Sequence, residues 1–273
     1  MKRNIHDKVT VITGASSGIG LACARAFCNE GAKLVLAARS EEIIKKIADE
    51  LNGGGELRAI AVKTDVAVES DCKNLIEKAV ETFGKIDILI NNAGVSMRAS
   101  FIDVELDVLR KVMNVNFWGT VYCTKYAYPH IIANKGSIVG ISSVAGIHGL
   151  PCRTGYSASK YAIQGFLDAI RIETMKKGVQ VMTVVPGFIS TNVRKVALVA
   201  DGSAQGESPR DESKMMSPEE LARRIIRGIK RNRRQLATSY EGRFTPIVSL
   251  FFPKIADKIY YSQMRREPNS HLD

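Results

Sequence analysis

The 273-residue chain has no run of about 18 apolar residues, so no segment reads as a membrane-spanning helix. Its five cysteines, Cys23, Cys28, Cys72, Cys123 and Cys152, are scattered and odd in number. None forms a C-x-x-C pair, and no Cys/His cluster has metal-ligand spacing. That argues against a disulfide scaffold and a metal site, and for a reducing compartment, the cytoplasm. No long Pro/Gly/Ser linker, low-complexity tract or clear repeat interrupts the chain. A single domain over residues 1–273 is therefore expected. The first strand-like run begins near Val9, which leaves no room for a signal peptide. Acidic residues are outnumbered, 28 against 39 Lys and Arg. The imbalance is local: Leu221 to Arg266 holds twelve basic residues against Glu241 and Asp257, and the rest is nearly neutral.

What is present is an alternation. Short β-branched or apolar runs start at Val9, Lys33, Leu57, Ile86, Gly136 and Val179. Between them lie stretches with apolar residues at helical spacing, including a long one over about Glu105 to Ile132. Strands alternating with helices predict a doubly wound α/β fold, a Rossmann-type parallel sheet with helices on both faces. In such sheets ligands bind outside the carboxyl ends of the strands. The chemistry is sought there.

Gly14, Gly18 and Gly20 lie between the first strand and the first helix, in "TGASSGIG". Glycines at such a turn let backbone N–H groups approach a pyrophosphate at a helix N-terminus. An ordinary loop is the competing reading. The second strand ends in Ala38-Arg39-Ser40, with no carboxylate for a ribose 2′-hydroxyl. Arg39 and Ser40 would clamp a 2′-phosphate, which favours NADP over NAD. Against that stands a plain surface arginine. Tyr156 and Lys160, in "YSASK", are one helical turn apart and share a face. An ammonium so placed favours the phenolate of a group whose free pKa is about 10.

Seven motifs then fall in order: "TGASSGIG", Asp65-Val66, Asn91–Gly94, Asn114–Asn116, Ser142-Ser143, "YSASK" and Pro186–Thr191. Over about residues 7–192 the chain resembles the short-chain dehydrogenase/reductase family. The resemblance implies that Tyr156 is the acid in reduction and the base in oxidation. Lys160 binds the nicotinamide ribose and lowers the Tyr156 pKa. Ser143 bonds the substrate carbonyl, with Ser142 as its neighbour and rival. Asn116 holds a water in a proton relay, with Asn114 competing. Gly14, Ser16, Ser17, Gly18, Ile19 and Gly20 would hold the cofactor phosphates. Asp65 and Val66 would meet adenine, although an Asp at a strand end also caps helices. Asn92, Ala93 and Gly94 would line the adenosine site, and Asn91 would tie neighbouring strands. Pro186, Gly187, Ile189 and Thr191 would frame the carboxamide. Cys152 either lines the substrate cleft or packs as a small buried hydrophobe.

Residues 192–216 form a long polar connection, expected to be a substrate lid. Ser217, Pro218 and Glu220 then read as a helix-capping box. Beyond it, about 243–273 mixes Phe244, Ile247, Leu250, Phe251, Phe252, Ile255, Ile259 and Tyr260 with basic residues. This extension either packs on the core or a partner subunit, or lies on an anionic membrane surface. Nucleic acid is set aside, since no recognition motif accompanies the charge. The expectation is an NADP-dependent enzyme interconverting a lipophilic ketone and an alcohol: steroid-like, sphingoid or fatty. Its rivals are a 3-oxoacyl thioester reductase and a non-catalytic NADP sensor or membrane-surface scaffold. The family also implies a homo-oligomer, a dimer or tetramer.

Overall fold

The computed structural model describes residues 3–208, 211–212, 215–268, 270 and 272. Six strands appear where the apolar runs place them: β1 (Val9–Thr13), β2 (Lys33–Ala38), β3 (Ala59–Lys63), β4 (Ile88–Asn91), β5 (Ser137–Ile141) and β6 (Gln180–Val185). A seventh, β7 (Gln235–Ala237), adds to the edge beside β6. Three residues after a basic run carry too little pattern to announce a strand. The order is β3-β2-β1-β4-β5-β6-β7. Every pairing is parallel.

Alternation along each strand divides the core. Ile12, Ile88, Ile90 and Val184 pack with α1 (Gly18–Asn29), α2 (Glu41–Asn52) and α7 (Pro218–Lys230). Val9, Val11, Leu89 and Val181 pack on the other face with α3 (Glu69–Phe83), α5 (Gly119–Ala133) and α6 (Thr154–Glu173). Both faces are covered, which is why these strands read as continuous apolar runs. The strand order reverses between β1 and β4. Their carboxyl ends diverge there and open a crevice.

The expected helix over 105–132 is α4 (Leu106–Met113), a π-helical turn (Asn114–Trp118), then α5. The widened turn leaves Asn114 exposed and Asn116 fully buried. The start of α7 follows its cap signal: Ser217 Oγ accepts from Glu220 N at 3.2 Å. Leu221, Ile225, Ile226 and Ile229 face the core, and Arg223 and Arg227 face out.

The 192–216 segment is stitched to the sheet's upper edge: Arg98 N donates to Leu198 O at 2.8 Å, and Leu198 N to Ser96 O at 2.9 Å. Residues 209–210 and 213–214 of this lid lie outside the described residues. The chain then forms two more helices, α8 (Tyr240–Phe251) and α9 (Pro253–Arg265). α9 packs Ala256, Tyr260 and Met264 inward. The Tyr260 ring stacks on His148, with centroids 4.7 Å apart. Residues 269, 271 and 273 of the expected extension lie outside the described residues.

Candidate active site

A cleft of about 520 Å³ opens at the carboxyl ends of β1 and β4. Its floor is the glycine turn. Gly14 has φ +67°, and a Cβ there would come within 2.9 Å of Ala93 Cα. A Cβ on Gly20 would lie 2.1 Å from Gly14 O. Only glycine allows so tight a turn under so close a neighbour. Gly20 is absent from the cleft wall and works from beneath the turn, whereas Gly14, Ser16, Ser17, Gly18 and Ile19 line it. Asn92 Nδ2 ties the turn by donating to Thr13 O at 2.9 Å and Gly14 O at 3.3 Å. Thr13 Oγ1 accepts from Asn92 N and Ala93 N, both at 3.0 Å. α1 begins at Gly18 and has no acidic residue in its first turn. Its amide ends and dipole therefore meet an anion without a competing carboxylate. The cradle fits a dinucleotide pyrophosphate.

Around the cleft follow the other sequence-marked positions. Arg39 and Ser40 are exposed on its rim. Nearby Glu41 pairs with Lys45 at 2.7 Å. Asp65 and Val66, Asn92, Ala93 and Gly94, and Pro186, Gly187, Ile189 and Thr191 all border it. Asp65 Oδ1 also accepts from Ala67 N at 3.0 Å, so its carboxylate braces the turn into α3. Asn91 joins β4 to β5 through its backbone, opposite Gly140, but its side chain does not tie strands. Its Nδ2 donates to Thr124 Oγ1 of α5 at 3.0 Å, because the strand's pleat turns that side chain onto the helix.

Tyr156 and Lys160 line the cleft from the first turns of α6. Lys160 is buried, and its Nζ donates to Ile141 O at 2.8 Å. Desolvation lowers its pKa to about 8. The ammonium sits 5.6 Å from the Tyr156 ring centroid. Burial pushes the Tyr156 phenol above its ordinary value. A hydrogen bond with Ser143 and the nearby Arg153 and Arg194 guanidiniums pull it down, without outweighing burial. The phenol therefore keeps its proton at neutral pH.

The two serines separate cleanly. Ser142 Oγ is buried and donates to Lys160 O at 3.2 Å. Ser143 is the one near enough to Tyr156 to lower its phenol's pKa, and its Oγ accepts from Ala145 N at 3.2 Å. Asn116 stands behind the cleft wall. Its Oδ1 accepts from Val95 N at 2.8 Å, and its Nδ2 donates to Val95 O at 3.0 Å and Ser159 Oγ at 2.9 Å. Ser159 Oγ in turn donates to Tyr156 O at 2.7 Å. Asn116 thus joins the loop after β4 to the turn carrying Tyr156.

Several residues in or behind the cleft wall carried no readable signal. Thr13 and Ser159 sit beside marked residues but look like ordinary small polar positions. Arg153, Arg194 and Leu150 border the cleft from neighbouring segments, and Tyr260, Gln263 and Met264 close it from α9. Residues more than 100 positions from Tyr156 meet it only through the tertiary fold. Arg153 and Arg194 are not free anion ligands: they pair with Glu267 at 2.8 Å and Glu212 at 2.9 Å. Cys152 is half-buried beside the cleft rather than in its wall, and burial pushes its thiol upward. Among the described residues, no cluster of His, Cys, Asp or Glu could hold a metal ion.

The chain resembles known proteins over most of its length. It is 37% identical over 266 residues to dehydrogenase/reductase SDR family member 7B of Xenopus tropicalis, covering 95% of this chain and 85% of that protein. It is 33% identical over 277 residues to an uncharacterized oxidoreductase of Bacillus subtilis, covering 98% and 77%. Among solved structures it superposes, with a TM-score of 0.75 and 26% identity, on an alcohol dehydrogenase from the archaeon Thermococcus sibiricus complexed with 5-hydroxy-NADP. That match covers 85% of this chain and 95% of the other. The short chain dehydrogenase pattern matches residues 8–199, which span the glycine turn, the Ser143–Tyr156–Lys160 cluster and the start of the lid. On its sheet, its cleft and these relatives, the chain belongs to the short-chain dehydrogenase/reductase family of oxidoreductases.

Proposed function

We propose that the protein is an NADP-preferring oxidoreductase interconverting a lipophilic ketone and its secondary alcohol, with Tyr156 as acid and base. The observation that carries this is the placement of Ser143, Tyr156 and a buried Lys160 together in the wall of the cleft that the glycine turn floors, with the Lys160 ammonium 5.6 Å from the Tyr156 ring centroid. A nicotinamide held there supplies or accepts the hydride. Ser143 and Tyr156 donate to the substrate oxygen and stabilise the charge that develops on it. In reduction the phenol gives its proton to that oxygen. Lys160 holds the ribose and restores the proton through a water at Asn116, whose carbonyl already accepts from Thr120 Oγ1 and has a second lone pair.

Support for the cofactor form is Arg39 at the rim together with the pairing of Glu41 to Lys45, which leaves a cation where a 2′-phosphate would lie. Support for a lipophilic substrate is the apolar wall beyond Tyr156: Leu150, Val193, Val196, Tyr260 and Met264. A homo-oligomer through α5 and α6 belongs to the same reading, supported by the exposed Trp118, Tyr161 and Ile172 on or beside them.

The test is NADPH oxidation over a panel of ketones and 3-oxoacyl thioesters. Tyr156→Phe is expected to lower kcat by roughly 10³-fold or more while NADPH affinity stays unchanged. An unchanged rate would overturn the mechanism, and oxidation by thioesters alone would replace the substrate class. Arg39→Ala is expected to weaken NADPH by about tenfold and spare NADH. Equal loss for both removes the NADP preference.

A further inference from the structure

α8 is built inside out. Among the described positions its buried residues are Gly242 and Thr245, with Val248 and Ser249 half-buried. Its large apolar residues Tyr240, Phe244, Ile247 and Phe251 recur at helical spacing and are 53–80% exposed; Leu250 beside them is 73% exposed. In α9 the buried stripe is Ala256, Tyr260 and Met264, while Ile255 and Ile259 point outward, continued by Phe252. A helix folding in water ordinarily turns its apolar stripe to the core. Single exposed apolar residues need no explanation, but a contiguous face across two helices does.

The charges on this hairpin are unbalanced too. Arg243, Lys254, Lys258, Arg265 and Arg266 are exposed. Against these five stand Glu241 of α8 and Asp257 of α9, the latter 3.3 Å from His148, while Glu267 is buried between Arg98 and Arg153. The outward face therefore combines bare apolar side chains with net positive charge. A second copy of the chain across a two-fold axis would bring like charges together. An anionic lipid surface satisfies both the apolar stripe and the cations.

We propose that the outer face of α8 and α9 seats in the headgroup region of an anionic bilayer, with Phe244, Ile247, Leu250 and Phe251 inserted. The inner face of α9 is a wall of the cleft, through Tyr260, Gln263 and Met264. Lipid and cleft are then one helix diameter apart, about 10 Å. Phe188 and Val196, exposed on the cleft's lid side, extend the apolar rim. A lipophilic ketone enters from the bilayer without crossing bulk water. That entry route rests on the proposed function; the docking surface does not.

The experiment is co-sedimentation of the full chain with vesicles of phosphatidylcholine alone or with about 30% phosphatidylserine. The parent is expected to sediment with the anionic vesicles and to be largely released by about 0.5 M salt. The double variant Ile247→Gln/Leu250→Gln is expected to lose at least about tenfold in vesicle affinity. Melting temperature and NADPH oxidation with a water-soluble ketone control for folding, since neither residue touches the cleft. Parent protein that stays in the supernatant, or a variant that sediments like the parent, overturns the proposal. Light scattering without lipid adds a further outcome: a parent that never sediments and a variant of half the parent's mass would make this face a self-association surface. Vesicle binding without any ketone-dependent NADPH oxidation sinks the enzymatic reading alone.

Discussion

Ser142 and Ser143 are adjacent, equally polar and both at the cleft, yet β5's extended backbone sends them to different partners. Ser143→Ala removes a donor to the reacting oxygen, so kcat is expected to fall about 10²-fold with NADPH affinity retained. Ser142→Ala breaks a buried bond to Lys160 O and is expected to cost about 1 kcal/mol of stability with kcat within a few-fold. Steady-state kinetics beside melting curves decide it, and the reverse pattern would exchange the roles. Lys160 carries a pH signature of its own. Its folded pKa is about 8, against 10.5 when unfolded. Between those values the unfolded chain binds more protons, so the stability of the folded chain rises with pH across that window. Relative to Lys160→Met, the cofactor-free parent is expected to gain about 3 kcal/mol between about pH 7 and 10.5. Denaturant titrations at both ends measure the gain, and a constant difference would mean that Lys160 is not desolvated.

At the scale of elements, the π turn in the middle of the long helix has a clear function. Inserted π turns widen a helix locally and are frequent at functional sites. Here one rotates Asn116 inward, where it satisfies both Val95 backbone groups and Ser159. Asn116→Ala would strand these buried partners. It is expected to cost about 2–3 kcal/mol, lowering the melting temperature by roughly 5–10 °C. Activity should fall too, because the Tyr156 turn loses its anchor. A variant melting like the parent would show that the loop does not depend on Asn116. The strands and most helices were legible in the sequence because two-sided burial writes continuous apolar runs and amphipathic helices write a period of 3.6. The π turn and β7 were not: one hides within helical spacing and the other is three residues long.

The whole molecule is closed by its C-terminal end. Glu267, with its side chain 3% exposed, reaches Arg153 at 2.8 Å and Arg98 at 3.5 Å. It joins the segment after α9 to the loop after β4 and to the residue preceding α6. Glu267→Ala would remove the carboxylate that pairs with two guanidiniums, the buried Arg98 and the half-buried Arg153. A loss of about 3–5 kcal/mol is expected, with release of the cleft wall formed by α9. Limited trypsin digestion should then cut at Arg265 and Arg266 faster than in the parent. An unchanged digestion pattern would mean that the hairpin's docking does not depend on Glu267.

By itself the sequence determined the layered sheet, the place of the cleft and the identity of Tyr156, Lys160 and the glycine turn as its landmarks. Those features are local: apolar period, a strand-to-helix turn and residues one helical turn apart. Tertiary structure decided which serine meets Tyr156, what Asn116 holds, and that the Asn91 side chain ties a helix rather than a strand. It also decided that the basic, apolar tail is both wall and surface, packing one stripe of α9 over the cleft and leaving another outside. Such choices depend on contacts between residues far apart in the chain, and local patterning does not encode which of two adjacent side chains the packed core will turn inward.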